Sequence, residues 1–254
     1  MEIVVDLFNQ HSGNLDELKC MAFAARQAGA DWVKIQLLDS QKIWGDDSRK
    51  YLEMNERQYR EFHDFCSANE IKMFATVFTE MHLRWVSQDR FKLASWLVKN
   101  DMALCRHVIG RAEQYGRDIF VSTGLSGYNE FPFGYADNLH YMFCVPEYPT
   151  LLSNKALKNM PSEFSKYVEG ISKTEEHTID FFPGYEGFSD HTMGFSTALQ
   201  AYHRGAKYLE KHFTLNPNRQ CETEKAHLCS FTPGTLRLFR NLIDELDVLN
   251  GVDR

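Results

Sequence analysis

The sequence predicts a single α/β domain folded as a (β/α)8 TIM barrel. Three observations favour it: strand-like and helix-like segments alternate along the chain, eight strand segments are found, and 254 residues is a typical barrel length. Regular alternation indicates parallel strands, because a helix-length connection returns the chain to the same edge of the sheet. A doubly wound open sheet is the structural alternative, but its glycine-rich turn is missing after the first strand, where "FNQHSG" (8–13) stands instead.

The first half of the chain alternates regularly. A β-rich run at 2–8 predicts the first strand, and the following helix spans 14–30, with Asn14 as N-cap, Glu17 three residues later and Gly29 at its end. Further strands are predicted at 31–38, 71–78 and 90–95, and further helices at 55–69, 81–88 and 101–116.

The second half keeps the rhythm but contains two irregular stretches. Segment 126–138, rich in Gly, Pro and Asn, predicts a loop and therefore a degenerate fifth β/α unit; helix signal is weak at 154–167, and 168–186 is expected to be irregular. Strands are predicted at 118–125, at 139–145, ending within 187–192, and at 207–215; helices are predicted at 194–206 and at 232–249, with Pro233 in its first turn.

The composition excludes several classes of function. A hydrophobic fraction of 43% and a charged fraction of 25% are ordinary for soluble proteins, and a net charge of −7 gives no basic face for nucleic acid. No run of 18 apolar residues predicts a membrane span, and no signal peptide is recognised. Six cysteines without a CxxC pair favour reduced thiols, so we expect a cytoplasmic protein without membrane or nucleic-acid partners.

Polar side chains collect at the predicted strand ends, where barrel enzymes keep their active sites. Strand alternation puts Lys34 and Gln36 on the inner face, where a lysine is unfavourable unless it is paired, and puts Glu210 and His212 on one face. The strand-end set comprises Asp6, Lys34, Gln36, Thr76, Lys92, Ser95, Ser122, Thr123, Ser189, Asp190, His191, Glu210 and His212.

Two lysines, several hydroxyls and a Ser-Thr-Gly turn are suited to a phosphate-bearing anion, and two histidines at adjacent strand ends could share a divalent metal. Taken singly, each lysine is more typical of an edge residue and each histidine of a hydrogen-bonded one. Their convergence on one face of the barrel carries the functional interpretation.

The chain resembles the sialic acid (N-acetylneuraminate) synthase family from about residue 2 to residue 240. The strongest similarities are "GFSDHTMG" (187–194) and "GAKYLEKHFTL" (205–215). Weaker ones are "NQHSG" (9–13), "AGADWVKIQ" (28–36), "FATVF" (74–78), "FKLAS" (91–95), "VSTGL" (121–125) and "CVPEYPT" (144–150).

The resemblance implies a transferase that condenses phosphoenolpyruvate with an amino-sugar or related aldehyde, giving a 2-keto-3-deoxy sugar acid and phosphate. It implies His191 and His212 as ligands of Mn²⁺, with Mg²⁺ or Co²⁺ as alternatives, and Tyr148 on the acceptor side. Asp6, Lys34, Lys92 and Glu210 would form the catalytic set. The phosphoenolpyruvate-binding positions would be Lys34, Gln36, Thr76, Lys92, Ser95, Ser122 and Ser189.

Departures from the family pattern concentrate on the acceptor side. Asp6 stands where the family has a glutamate, Pro146 replaces a polar residue, and Ala226 replaces the aspartate before His227. We therefore expect changed acceptor specificity. We also expect one domain over 1–254 without the family's antifreeze-like domain, and a homodimer or a separate chain that completes the acceptor site.

Two alternatives stay open. The first is another barrel enzyme with the same donor site, such as a lyase or a synthase acting on a non-sugar aldehyde. The second is a non-catalytic descendant that binds a ligand or partner.

Overall fold

The computed structural model describes residues 1–86, 90–171 and 179–252. Eight parallel strands close into a barrel, which confirms the predicted fold. The barrel strands are β1 (Glu2–Asp6), β2 (Trp32–Leu37), β3 (Met73–Val77), β4 (Arg90–Leu93), β5 (Asp118–Ser122), β6 (Leu139–Cys144), β9 (Tyr185–Asp190) and β10 (Tyr208–His212). Their order around the barrel is β1-β10-β9-β6-β5-β4-β3-β2.

Two further strands of the described residues form a separate two-stranded sheet. β7 (Tyr167–Ile171) and β8 (Ile179–Pro183) pair antiparallel, so the expectation that 168–186 is irregular is wrong for its described part. Each strand has only five residues, and Gly170 and Pro183, which normally indicate turns, lie within them and mask the strand pattern. The expectation for 172–178 lies outside the described residues.

Eight α-helices are found in the described ranges, and two of them, α2 and α5, are missing from the sequence prediction. These two have five and six residues, too few to show a helical period. The helices are α1 (Leu15–Gln27), α2 (Ser40–Trp44), α3 (Glu56–Ala68), α4 (Glu80–Trp85), α5 (Ser95–Asn100), α6 (Met102–Gln114), α7 (Ser196–His203) and α8 (Pro233–Leu249). None of them has both the length and the apolar character that a membrane span requires.

Capping residues in the sequence correctly predicted where several helices begin. The Asn14 side chain accepts hydrogen bonds from the backbone N–H groups of Asp16 and Glu17, and Pro233 occupies the first turn of α8 behind the N-cap Thr232. Segment 126–138 contains turns and no helix, as predicted, and 154–167 contains only a 3-10 helix at Lys155–Asn159. The predicted helix 81–88 ends at Trp85, and its positions 87 and 88 lie outside the described residues.

The two faces of the barrel strands pack in different surroundings: one faces the helices and the other faces the inside of the barrel. Val33, Ile35 and Leu37 pack outward with helix residues such as Leu18 in the main hydrophobic core. Inside, Trp32 and its neighbours fill the end of the barrel where the strands begin, with the Arg90 guanidinium 4.2 Å from the Trp32 ring centroid. The other end, where the strands finish, is left for polar side chains.

Candidate active site

The strand register brings most of the predicted site residues side by side. Asp6 is level with Lys34 on one neighbouring strand and with His212 on the other. In the same way Thr76 is level with Lys92, and Glu210 with Ser189. Lys34, Thr76, Lys92, Ser122, Ser189 and Glu210 are all buried, so these polar groups form one layer inside the barrel.

Glu210 lies at the centre of this layer. Its carboxylate is 2.9 Å from Lys34 Nζ and 3.1 Å from Lys92 Nζ, and it accepts a hydrogen bond of 2.9 Å from Ser189 Oγ. Burial alone would raise the pKa of Glu210, but the two ammonium groups outweigh it and hold the pKa well below its ordinary value. Glu210 therefore stays ionised and holds both lysines at one point.

Asp6 is held from three directions. Its carboxylate is 2.8 Å from Lys34 Nζ and accepts hydrogen bonds from Gln36 Nε2 at 2.8 Å and from the backbone N–H of Phe8 at 3.0 Å. One carboxylate oxygen also lies 4.0 Å from His212 Nδ1. The Asp6 side chain, which is shorter than the glutamate of the family pattern, is thus fixed between Lys34 and His212.

The two buried lysines differ electrostatically. Burial lowers the pKa of Lys34, but Asp6 and Glu210 together reverse this effect and leave the pKa raised. Lys92 has one carboxylate partner and a hydrogen bond of 2.8 Å to Ser122 Oγ, so burial prevails and its pKa is lowered. The charge of Lys92 is therefore the less compensated of the two, and it favours an additional anion.

Thr76 carries an unsatisfied hydroxyl next to Lys92. The residue is 0% exposed, and its Oγ1 has no hydrogen-bond partner among the described residues. A buried hydroxyl without a partner is unfavourable by about 1–3 kcal/mol. It is therefore a ready donor to a bound oxyanion.

His191 and His212 present equivalent ring nitrogens. Nδ1 of His191 lies 2.7 Å from the carbonyl oxygen of Val145, and Nδ1 of His212 lies 2.8 Å from that of Phe8. Because a carbonyl only accepts, both Nδ1 atoms carry the proton and both Nε2 atoms keep a lone pair. Burial lowers the pKa of both rings, which keeps them neutral.

These two histidines fit a divalent metal. Their ring centroids are 5.6 Å apart, and neutral imidazoles oriented by backbone carbonyls are common metal ligands. Among the described residues no third histidine, cysteine or carboxylate completes a ligand cluster. Two protein ligands would leave the other positions to water or substrate, as in open catalytic sites.

Three predicted residues lie at the edge of this centre or outside it. The Tyr148 ring is 4.1 Å from the His191 ring and borders the mouth of the barrel. Ser95, expected at the end of the fourth strand, instead begins α5 and lines the mouth together with Gln36. Asp190 turns away from the site and pairs at 2.8 Å with the buried Lys211.

Sequence analysis missed a cavity of about 270 Å³ at the mouth of the barrel, beside His212. Its residues come from strand ends, short helices and loops that are far apart in the sequence, so no local motif marks it. The apolar part of its lining consists of Phe8, Ile43, Trp44, Phe78, Ala94, Trp96, Leu125, Pro146, Tyr148 and Ala226.

Segment 221–227, which closes one side of this cavity, is held by the buried Glu224. Tyr51 donates to Glu224 Oε1 at 2.8 Å, Ser12 donates to Oε2 at 3.1 Å, and His227 Nε2 lies 3.1 Å from Oε2. Burial raises the pKa of Glu224, but these partners outweigh it and leave the pKa lowered. The carboxylate therefore joins three separate loops into one wall.

The fold and the site define a (β/α)8 barrel with a buried, lysine-containing polar layer and a histidine pair at the end where the strands finish. The chain belongs to the NeuB family, whose sequence profile matches residues 21–253. This assignment confirms the family resemblance carried by the motifs.

The named relatives have low sequence identity to this chain, but their alignments cover most of it. Pseudaminic acid synthase of Campylobacter jejuni is 24% identical over 254 residues, which cover 89% of this chain and 68% of the relative. N-acetylneuraminate-9-phosphate synthase of Mus musculus is 25% identical in an alignment of length 261 that covers 92% of this chain and 67% of the relative. The chain thus spans about two thirds of the length of these relatives.

Solved structures share the fold. The N-acetylneuraminic acid synthetase of Leptospira borgpetersenii, in complex with citrate, has a TM-score of 0.72 at 18% identity, covering 99% of this chain and 85% of that one. A truncated 3-deoxy-D-arabino-heptulosonate 7-phosphate synthase of Thermotoga maritima has a TM-score of 0.60 at 10% identity, covering 100% and 88%.

Proposed function

We propose that the protein is a phosphoenolpyruvate-dependent synthase that joins the donor to an amino-sugar or related aldehyde and forms a 2-keto-3-deoxy sugar acid and phosphate. One observation carries the proposal: Lys34 and Lys92 converge on Glu210 inside the barrel, beside the unsatisfied hydroxyl of Thr76. Family membership supports the same reaction class.

The donor is a polyanion, and the lysine layer supplies the groups that bind one. Lys92 Nζ, the less compensated ammonium, would contact the phosphate or carboxylate of phosphoenolpyruvate, and Thr76 would donate its unused hydrogen bond. Ser122, already bonded to Lys92, and Ser189, bonded to Glu210, are placed to complete the shell. Lys34 stays bound to both carboxylates and orients them.

The Nε2 atoms of His191 and His212 would hold a divalent metal, which we propose to be Mn²⁺. The chemistry supplied there is Lewis-acid polarisation of the acceptor aldehyde. The protein's own contribution is the orientation of both rings by the carbonyl groups of Val145 and Phe8.

The reaction then balances with the groups present. Carbon 3 of phosphoenolpyruvate forms a bond to the aldehyde carbon, water adds at carbon 2, and the tetrahedral adduct expels phosphate to leave the ketone. Asp6, fixed between Lys34 and His212, is the carboxylate that takes one proton from water and passes it to the former aldehyde oxygen, which becomes a hydroxyl. The second proton of the water leaves with the phosphate. Glu210 stays ionised between two lysines and compensates their charge throughout.

The same proposal covers the setting of the enzyme. We place it in the cytoplasm, and we propose that a second copy or a separate chain contributes to the acceptor half of the site. The departures at Asp6, Pro146 and Ala226 support a changed acceptor.

A turnover assay tests the reaction class. The protein, Mn²⁺ and phosphoenolpyruvate are incubated with a panel of aldehyde sugars, and phosphate release is measured together with the mass of the new keto acid. Equimolar phosphate and adduct support the proposal. Borohydride trapping of pyruvate on Lys34 or Lys92 would instead indicate Schiff-base lyase chemistry. If neither turnover nor trapping is observed, the non-catalytic alternative is the one that stays.

A further inference from the structure

The mouth cavity has a predominantly apolar surface. Trp44 and Trp96 lie on its wall with Phe78, Leu125 and Pro146, and the Phe78 and Trp96 ring centroids are 6.0 Å apart. Trp44 is 37% exposed, although large aromatic residues usually bury most of their surface. The cavity volume of about 270 Å³ is sufficient for a small ligand. Few of the side chains that line the cavity can form hydrogen bonds with ligand hydroxyls.

The cationic groups that line the cavity are already engaged. Arg49 stacks on the Trp44 ring at 4.6 Å and donates to the carbonyl oxygen of Glu222, while Lys225 pairs with the Glu222 carboxylate at 2.7 Å. No aspartate or glutamate lies among the described residues that line the cavity.

The two amide side chains that line the cavity are engaged as well. Asn9 donates to the carbonyl oxygen of Thr223 at 3.0 Å, and Gln36 donates to Asp6 at 2.8 Å. Besides Thr223, whose Oγ1 lies 2.8 Å from the Tyr51 hydroxyl, the lining hydroxyls are those of Ser95 and Tyr148. A hydroxyl-rich ligand would bury its remaining hydroxyls against apolar side chains, which is unfavourable.

We infer that the acceptor carries an apolar acyl group longer than acetyl, and that Trp44 and Trp96 select it. The inference rests on the proposed function, because the cavity adjoins His212 and Tyr148, where the aldehyde would react. The acyl chain would lie between the two indoles and Phe78, and the polar end of the acceptor would face the histidines. Burial of each methylene is then expected to lower KM roughly fourfold until the cavity is full.

The test uses mannosamines bearing N-acetyl, N-propanoyl, N-butanoyl and N-pentanoyl groups. Binding of each to the full chain is followed by tryptophan fluorescence without phosphoenolpyruvate, and phosphate release is followed with it. The expected result is a stepwise gain in affinity and a matching fall in KM with chain length. Trp44→Phe and Trp96→Leu should each reduce the gain in affinity along the series at least threefold. Tyr115→Ala, a substitution of an exposed aromatic residue directly after α6, should leave the series unchanged.

The outcomes separate the two proposals. If the enzyme turns over but neither the fluorescence affinity nor KM depends on acyl chain length, the inference is overturned and the synthase function stands. A fluorescence series that strengthens with chain length without any turnover supports the apolar site and contradicts the proposed reaction. An affinity that falls with chain length overturns the inference whatever the turnover.

Discussion

Replacing Thr76 by valine should change stability and donor binding in opposite directions. Thr76 Oγ1 is buried without a partner, and valine has nearly the same shape without the hydroxyl. An unsatisfied buried hydroxyl is unfavourable by about 1–3 kcal/mol, so Thr76→Val should raise the free energy of unfolding of the unliganded protein by about 1 kcal/mol. A lost charge-assisted hydrogen bond of about 1.5–3 kcal/mol should weaken phosphoenolpyruvate binding at least tenfold.

Thr123 supplies the matched control. It is similarly buried directly after β5, which is separated from β3 by β4, but its Oγ1 lies 3.1 Å from the hydroxyl of Tyr185. Thr123→Val therefore removes a satisfied hydrogen bond and should lower stability by about 1 kcal/mol, with little effect on donor binding. Urea denaturation and calorimetric titration measure both quantities. Destabilisation by Thr76→Val, or unchanged donor affinity, would refute the assignment of this hydroxyl to the donor anion.

Three further predictions follow from the site and its surroundings. His191→Ala should lower Mn²⁺ affinity at least tenfold in electron paramagnetic resonance titrations, and an unchanged affinity would exclude this ring as a ligand. Glu224→Gln should raise acceptor KM severalfold and leave phosphoenolpyruvate affinity unchanged; a change confined to the donor would contradict its role in the cavity wall. His140, buried between Glu186 and Asp118, has a pKa that burial lowers but both carboxylates raise overall. Its charge therefore stabilises the fold fully below pH about 6.5 and progressively less as pH rises through the folded-state pKa. The stability lost in His140→Gln should be larger at pH 5.5 than at pH 8.5, and equal losses would contradict the ion pairing.

Strand periodicity predicted the buried polar layer around Glu210 because its residues belong to the barrel itself. Lys34 alternates with Val33 and Ile35, so its inward direction follows from the strand, and Glu210 and His212 share a face for the same reason. Parallel pairing then fixes their level in the barrel, and the sequence alone was sufficient to bring them together.

The cavity at the mouth of the barrel could not be predicted in this way. The hydrogen bond between Tyr51 and Glu224 joins positions 173 residues apart, and neither residue belongs to a periodic segment. Asp190 sits beside His191 in sequence, yet strand alternation turns it toward Lys211 and away from the site. Ser95 shifted from strand to helix because β4 ends at Leu93, two residues earlier than its apolar pattern indicated.

The most direct test of the account is a calorimetric titration of phosphoenolpyruvate into the metal-free and Mn²⁺-loaded protein, which requires no knowledge of the acceptor. The wild type should bind, and Lys92→Ala should weaken binding at least tenfold, since it removes the less compensated buried charge. Lys99→Ala, an exposed substitution on α5, serves as the control and should bind like the wild type. Absence of binding by the wild type under both conditions, or equal binding by Lys92→Ala, would contradict the central claim that this barrel holds a phosphoenolpyruvate donor site.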